Sequence, residues 1–218
     1  MKFEFIYEPI PIIIIRDIFS KEDNKEILAE AVSKQKEFSK AGIGTANSTE
    51  EEVEDFRNNT VLYYDDVYPD RSKSKLLKTL DSLFAENEEF KEILESSPHP
   101  INLFGTTNFH ETQVSRYGEG QHYNYHIDAF SNDRRKVTFV YYFHEDPKQF
   151  TGGNLQITKS PIYKGIPADK SQKIITIEPE NNMAVVFGSH VPHTVLPVSS
   201  MKDFSKGRFS VNCWIGFR

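Results

Sequence analysis

The chain has 218 residues, 38% hydrophobic and 13% aromatic, with 17 Phe and 10 Tyr, enough apolar surface for one sizeable core and too much for a chain disordered throughout. Its single cysteine, Cys213, excludes an internal disulfide framework and a cysteine-rich zinc site. The net charge of −6 is uneven: residues 1–100 hold 22 acids and 13 bases, giving −9, whereas residues 101–218 hold 10 acids and 13 bases, giving +3, together with six of the seven histidines.

No concentrated basic face is present to bind phosphate, which argues against nucleic acid as a partner. Met1-Lys2-Phe3-Glu4 carries acid where a signal peptide needs a basic and then an apolar run, and no stretch approaches the roughly 18 apolar residues of a membrane span. The expectation is a soluble, cytoplasmic protein with no membrane partner, whose chemistry lies after residue 100.

In chain order, Pro9-Ile10-Pro11 followed by Ile12 to Ile15 predicts a buried strand. Ser20, with Glu22 and Asp23 behind it, starts a helix whose apolar positions are Ile27, Leu28, Ala31 and Val32. Residues 39–60 read as a mobile surface loop with room for one helical turn, a solvated excursion rather than a binding element. From Arg71 to Glu95, the stripe Leu76, Leu77, Leu80, Leu83, Phe84, Phe90, Ile93 and Leu94 predicts one long helix or two short ones, ended by Ser97-Pro98-His99-Pro100.

Beyond residue 100 the pattern changes to alternation and turn signals. Strands are placed at roughly 108–117, 122–128, 136–144, 154–158, 173–178, 183–188, 191–198 and 208–217. The fold class is mainly β with N-terminal helices, a double-sheet jelly roll supported by helices. Residues 1–100 supply an N-terminal strand and supporting helices of the same globular unit, and residues 101–218 supply the jelly-roll core.

Residues two apart on a strand share a face, so His126 and Asp128 fall together. An imidazole beside a carboxylate is two-thirds of the 2-His-1-carboxylate triad of non-haem Fe(II) sites, although a strand end with a hydrogen-bonded histidine has the same spelling. His190 and His193 are the candidates for a third ligand, and parity does not choose between them because Gly188 and Pro192 interrupt the strand. His122 paired with His126 would need a helix, which Gly118, Gly120 and the tyrosines disfavour. In the last strand, Arg208, Ser210, Asn212 and Trp214 face one way, and Phe209, Val211, Cys213, Ile215 and Phe217 the other. The first row puts a guanidinium beside a hydroxyl, a fork suited to a carboxylate, though a surface row would look alike. Thr138, Val140, Tyr142 and His144 also share a face, so Tyr142 can offer its hydroxyl to an enclosed ligand.

Taken in order, these segments resemble the Fe(II)- and 2-oxoglutarate-dependent dioxygenases of the prolyl 4-hydroxylase-like superfamily over about residues 109–217, roughly half the chain. The matching pieces are Tyr117-Gly118, Tyr123 three residues before His126-x-Asp128, Arg135 to Thr138 leading into Tyr141-Tyr142, Gly152-Gly153-x-Leu155, His193-x-Val195-x-Pro197-Val198, and Gly207-Arg208 followed by Trp214. The resemblance implies His126, Asp128 and His193 as iron ligands, with His190 a neighbour. It implies that Arg208, assisted by Tyr142, binds the distal carboxylate of 2-oxoglutarate, with Tyr117 at the metal-proximal end and Ser210 fitting an Arg-x-Ser pattern. Ser199 to Lys206 is longer than the turn usual there, which affects how the cosubstrate pocket is rimmed.

The implied cofactors are Fe(II) and the cosubstrate 2-oxoglutarate, with ascorbate a candidate reductant. The implied reaction is hydroxylation of a substrate C–H with O2, giving succinate and CO2, and activity is expected to fall in mild acid as the histidines protonate. The expected substrate is a peptidyl proline or a similar small group. The alternatives are a free amino acid or natural product, and a non-catalytic jelly-roll module, which has no use for a clamp such as Arg208. His122, His144 and His190 are expected near the site, His110 in a structural role, and Cys213 inert on the core face.

Overall fold

The computed structural model describes residues 1–43, 49–129 and 134–218, so residues 44–48 of the expected loop lie outside the described residues. The first half runs β1 (Lys2–Ile6), β2 (Ile12–Arg16), α1 (Lys21–Ser33), β3 (Ser39–Lys40), α2 (Glu50–Phe56), β4 (Arg57–Asn58), β5 (Thr60–Tyr63), α3 (Tyr64–Val67), α4 (Lys75–Glu86) and α5 (Glu88–Glu95). Among the described residues the second half has strands and 3-10 turns and no α-helix. Its long members are β6 (Phe109–Tyr117), β7 (His122–His126) and β8 (Arg135–Phe143), followed by β9 (Phe150–Gly152), β10 (Leu155–Thr158), β11 (Ile162–Tyr163), β12 (Ile166–Pro167) and β13 (Ile174–Ile177). β14 (Met183–Gly188), β15 (His193–Val195), β16 (Val198–Ser200) and β17 (Arg208–Gly216) complete it.

The strands assemble into an eight-stranded sheet in the order β1-β2-β14-β8-β17-β6-β5-β3 and a five-stranded sheet in the order β13-β10-β15-β7-β4. Successive strands of the second half cross between the sheets, which makes the core a double-stranded β-helix of the jelly-roll type. The first half is woven into it: β1, β2, β3 and β5 join the large sheet and β4 joins the small one.

Alternation in β8 and β17 decides what each face of the large sheet does. Val137, Phe139, Tyr141 and Phe143 of β8, with Phe209, Val211, Cys213 and Ile215 of β17, pack in one cluster against Ile27, Ala31, Leu76, Leu77, Leu80, Phe90 and Leu94 of α1, α4 and α5. Full burial of each large apolar side chain contributes about 1.5–3 kcal/mol, so this helical layer anchors the sheet that carries Arg208. Tyr142 and Val140 of β8 face the other way, into the space between the sheets. The helical stripe over 71–95 divides at Asn87, whose side chain accepts from the Phe90 N–H and caps α5. Ser20 caps α1 by accepting from the Asp23 N–H.

One expectation needs correction and one element is new. The 39–60 stretch holds a two-turn helix opened by a capping box between Thr49 and Glu52, and then β4 and the start of β5, which pair with β7 and β6. β1 is a strand that the sequence pattern does not predict: its Phe3 packs inward while Phe5 is 40% exposed, so as an edge strand it lacks a strong apolar alternation. The long connection Ser199 to Lys206 pairs as β16 with β9 and then makes a 3-10 turn whose carbonyls, Asp203 O and Phe204 O, accept from Arg116. No helix among the described residues is long and apolar enough to cross a membrane.

Candidate active site

Between the sheets lies a cavity of about 310 Å³. β7 lends it both Tyr123 and His126, three residues apart, which simple alternation forbids. The pairing with β15 explains this: His193 opposes His126 but Val195 opposes Tyr123, so a step of two residues on β15 spans a step of three on β7. This β-bulge reverses the parity of β7 partway along. As a result His126 turns inward while His122 lies outside the cavity, its Nε2 3.0 Å from Asp55 O, which corrects the expectation that His122 lies near the site.

The ligand-capable atoms of His126, Asp128 and His193 all lie within 4.8 Å of one another, the one such grouping of three His, Cys, Asp or Glu side chains among the described residues. The two histidines are oriented alike. His126 Nδ1–H donates to Asn124 O at 2.8 Å and His193 Nδ1–H donates to Val191 O at 2.8 Å, which fixes the tautomer and leaves each Nε2 lone pair facing Asp128. The Nε2 atoms stand 3.8 and 3.5 Å from the Asp128 carboxylate. Burial, reinforced by His193 and Arg57, holds His126 well below the ordinary imidazole pKa, so it is neutral and available as a ligand.

Asp128 sits beyond the end of β7 and is held by its surroundings. Its N–H donates to Ser189 O at 2.9 Å, and Thr138 Oγ1 donates to its Oδ2 at 2.8 Å while sharing a 3.0 Å hydrogen bond with Ser189. Alternation puts Thr138 on the right face, but only the folded chain reveals this partner. His190 is exposed and outside the cavity. His144 is buried against Phe150 and donates to Glu145 O, away from the cavity lining.

At the deep end Arg208 is 1% exposed and sandwiched between two phenol rings, its Cζ 4.8 Å from the Tyr117 centroid and 4.9 Å from that of Tyr142. Nε donates to Gly153 O at 2.8 Å and Nη1 donates to Ser210 Oγ at 3.3 Å. No carboxylate partners it among the described residues. Beside it the Tyr142 hydroxyl is buried without a hydrogen-bond partner. Burial pushes that hydroxyl up to about 12, so it remains a donor at any ordinary pH. A buried cation and a buried unused donor on one wall suit an anion, because both would otherwise carry an uncompensated desolvation cost. Gly153 makes this packing possible: its φ is +67°, and a Cβ there would meet Arg208 Cδ at 2.6 Å.

Arg57, Tyr63, Arg135, Asn212 and Trp214 line the rest of the cavity. Arg57 falls in the stretch whose composition reads as solvated loop; the available signal is a lone arginine just before the β-prone run Thr60-Val61-Leu62-Tyr63. Cys213 lies on the helix side of β17, 0% exposed, with its thiol pKa raised by burial.

Residues 112–216 match the model of the 2OG-Fe(II) oxygenase superfamily. A curated relative, an uncharacterized PKHD-type hydroxylase of Synechocystis sp., is 30% identical over 211 residues; the match takes in 92% of this chain and 61% of that protein, so the chain spans about three-fifths of its relative's length. Among solved structures, a Pseudomonas putida prolyl-4-hydroxylase matches with a TM-score of 0.63 at 21% identity, over 96% of this chain and 94% of that one. A Trichoplax adhaerens prolyl hydroxylase, solved with a hypoxia inducible factor peptide fragment, matches with 0.65 at 19% identity over 94% and 83%. An alpha ketoglutarate dependent epimerase from nogalamycin biosynthesis, SnoN, matches with 0.61 at 11% identity over 97% and 78%. At these identities the structural matches show a shared fold.

Proposed function

We propose that this chain, whose residues 112–216 match the 2OG-Fe(II) oxygenase superfamily, is a prolyl 4-hydroxylase-like oxygenase that hydroxylates a C–H bond of its substrate using Fe(II), 2-oxoglutarate and O2. The observation that carries the reading is that the His126, Asp128 and His193 grouping and the Arg208–Tyr142 wall open on one cavity. The two Nε2 atoms and the Asp128 carboxylate would hold Fe(II), a neutral-neutral-anionic donor set that leaves coordination positions open. Arg208 and Tyr142 would bind the distal carboxylate of 2-oxoglutarate, Ser210 and Gly153 O would fix the guanidinium plane, and Tyr117 would close the pocket over it. When bound, Fe(II) with 2-oxoglutarate and O2 supplies the oxidative decarboxylation that gives succinate, CO2 and a hydroxylated carbon.

This chain's own part is orientation and exclusion of water. Thr138 and Ser189 hold the Asp128 carboxylate, the Asn124 and Val191 carbonyls hold the imidazoles, and the two tyrosines flanking Arg208 shield its charge from solvent. A peptidyl proline is the first candidate substrate, and a free amino acid or natural product the second. Residues 1–100 act with 101–218 as one unit. The test is anaerobic Fe(II) loading followed by 2-oxoglutarate and air, which is expected to yield succinate in the native protein and none in His126→Ala. No succinate and no Fe(II) binding in the native protein would overturn the reading.

A further inference from the structure

The iron and cosubstrate roles leave one cation of the cavity without a task. Arg57 reaches the cavity from β4 and its Cζ lies 4.4 Å from the ring centroid of Tyr123, which in turn stacks on the His126 ring at 3.4 Å. Its anchors are all neutral: Nε donates to Asn59 Oδ1 at 2.9 Å, Nη1 to Gly42 O at 3.2 Å and Nη2 to Gln113 Oε1 at 3.1 Å. A guanidinium has five N–H donors, so one N–H on each terminal nitrogen lies outside these bonds.

The charges of the lining show what could meet them. Three arginines, Arg57, Arg135 and Arg208, stand against a single carboxylate, Asp128. Arg135 pairs with Glu111 at 2.9 Å, just outside the lining. A divalent cation and a dianionic 2-oxo acid cancel each other, and Asp128 offsets Arg208, which leaves the single positive charge of Arg57 on the lining. Two further donors line the same cavity: Trp214 Nε1 is buried without a partner, its ring under the Arg135 guanidinium at 4.1 Å, and the Asn212 amide N–H donates to Ser115 Oγ at 3.1 Å, which in turn donates to the Gln113 Oε1 that anchors Arg57.

We propose that Arg57, together with Trp214 and Asn212, forms a subsite for a carboxylate of the substrate to be hydroxylated. The inference rests on the oxygenase reading above. A carboxylate there would turn two uncommitted N–H groups into a charge-assisted pair in a water-poor site, and an uncharged analogue would leave them unmatched. The source of the carboxylate is either a free amino acid or an acidic residue of a peptide.

Trp214 is the chain's single tryptophan and lines this same cavity, so its fluorescence reports occupancy directly. Protein loaded anaerobically with Mn(II) and 2-oxoglutarate would be titrated with the common L-amino acids and their amides, and with acetyl-Pro-Glu-amide against acetyl-Pro-Gln-amide. At least one carboxylate is expected to bind on the order of tenfold more tightly than its amide partner. Arg57→Gln is expected to abolish that ratio and Arg57→Lys, which keeps the charge but not the fork, to keep part of it. Because each variant is read as a ratio within one protein, a general loss of stability cancels. Preference among free amino acids assigns a small-molecule source, and preference for the glutamyl peptide an acidic peptide. Equal affinity within every pair, absence of carboxylate binding, or a ratio that survives Arg57→Gln overturns the subsite. Succinate formation by the native protein, measured alongside, separates that outcome from failure of the oxygenase reading.

Discussion

Tyr142→Phe separates the stability of the ligand-free protein from its affinity for cosubstrate, because only the second is expected to fall. The Tyr142 hydroxyl lines the cavity beside the Arg208 guanidinium and holds up no other part of the fold. Deleting one oxygen keeps the ring in its buried cluster, so the ligand-free protein is expected to change by less than about 1 kcal/mol. For a chain of this length that is a shift of less than about 4 °C in Tm. With 2-oxoglutarate bound, the same deletion removes a hydrogen bond to a carboxylate, worth about 1.5–3 kcal/mol, or roughly 10- to 100-fold in Kd. Scanning calorimetry of the metal-free protein gives the first quantity, and anaerobic titration of the Mn(II)-loaded protein with 2-oxoglutarate, followed by Trp214 fluorescence, gives the second. A lower Tm with unchanged Kd would refute the assignment of this hydroxyl to the cosubstrate.

Other outcomes follow from the same geometry. Thr138→Val removes the 2.8 Å hydrogen bond to Asp128 and is expected to weaken Mn(II) binding about 10-fold by calorimetric titration, with little effect on Tm. Gly153→Ala forces a side chain into left-handed backbone and against Arg208. The backbone conformation alone costs roughly 1–2 kcal/mol and the clash adds to it, so steady-state kinetics are expected to show the 2-oxoglutarate KM rising at least about tenfold. His193→Ala is expected to abolish metal binding in an equilibrium dialysis experiment that His190→Ala passes unchanged. Burial holds His110, His126 and His144 below their ordinary value of 6.5, so the unfolded chain takes up protons first as the pH falls. The metal-free protein is therefore expected to be fully stable above about pH 6.5 and to lose stability below it, before the carboxylates titrate; a urea midpoint constant between about pH 7.5 and 5.5 would contradict this.

What could be read from the sequence depended on the range of the interaction. Alternation in β8 and β17 is local, so the split between the helix-packed row and the row of Arg208, Ser210, Asn212 and Trp214 was legible. Parity did not choose between His190 and His193, since that depends on which of them β15 sets opposite His126; only the ordered family resemblance pointed to His193. The bulge in β7 is likewise a property of pairing with β15, and parity carried along β7 alone therefore places His122 on the wrong side. Arg57 escapes for a related reason: two residues of β4 acquire strand character only by pairing with His122 and Tyr123, whose own position is set late in the chain.

The large sheet begins and ends with N-terminal strands, β1-β2 on one flank and β5-β3 on the other. The strands nearest the middle, β8 and β17, belong to the second half, so the first-half strands embrace a core made much later in the chain. Folding must close those long loops before either flank is satisfied, which favours a slow, concerted assembly. A fragment of residues 101–218 alone would bare the hydrogen-bonding edges of β14 and β6 and tend to pair with other chains. The acidic first half is thus the selvedge of the fabric, and neither half can be exchanged between relatives as a cassette.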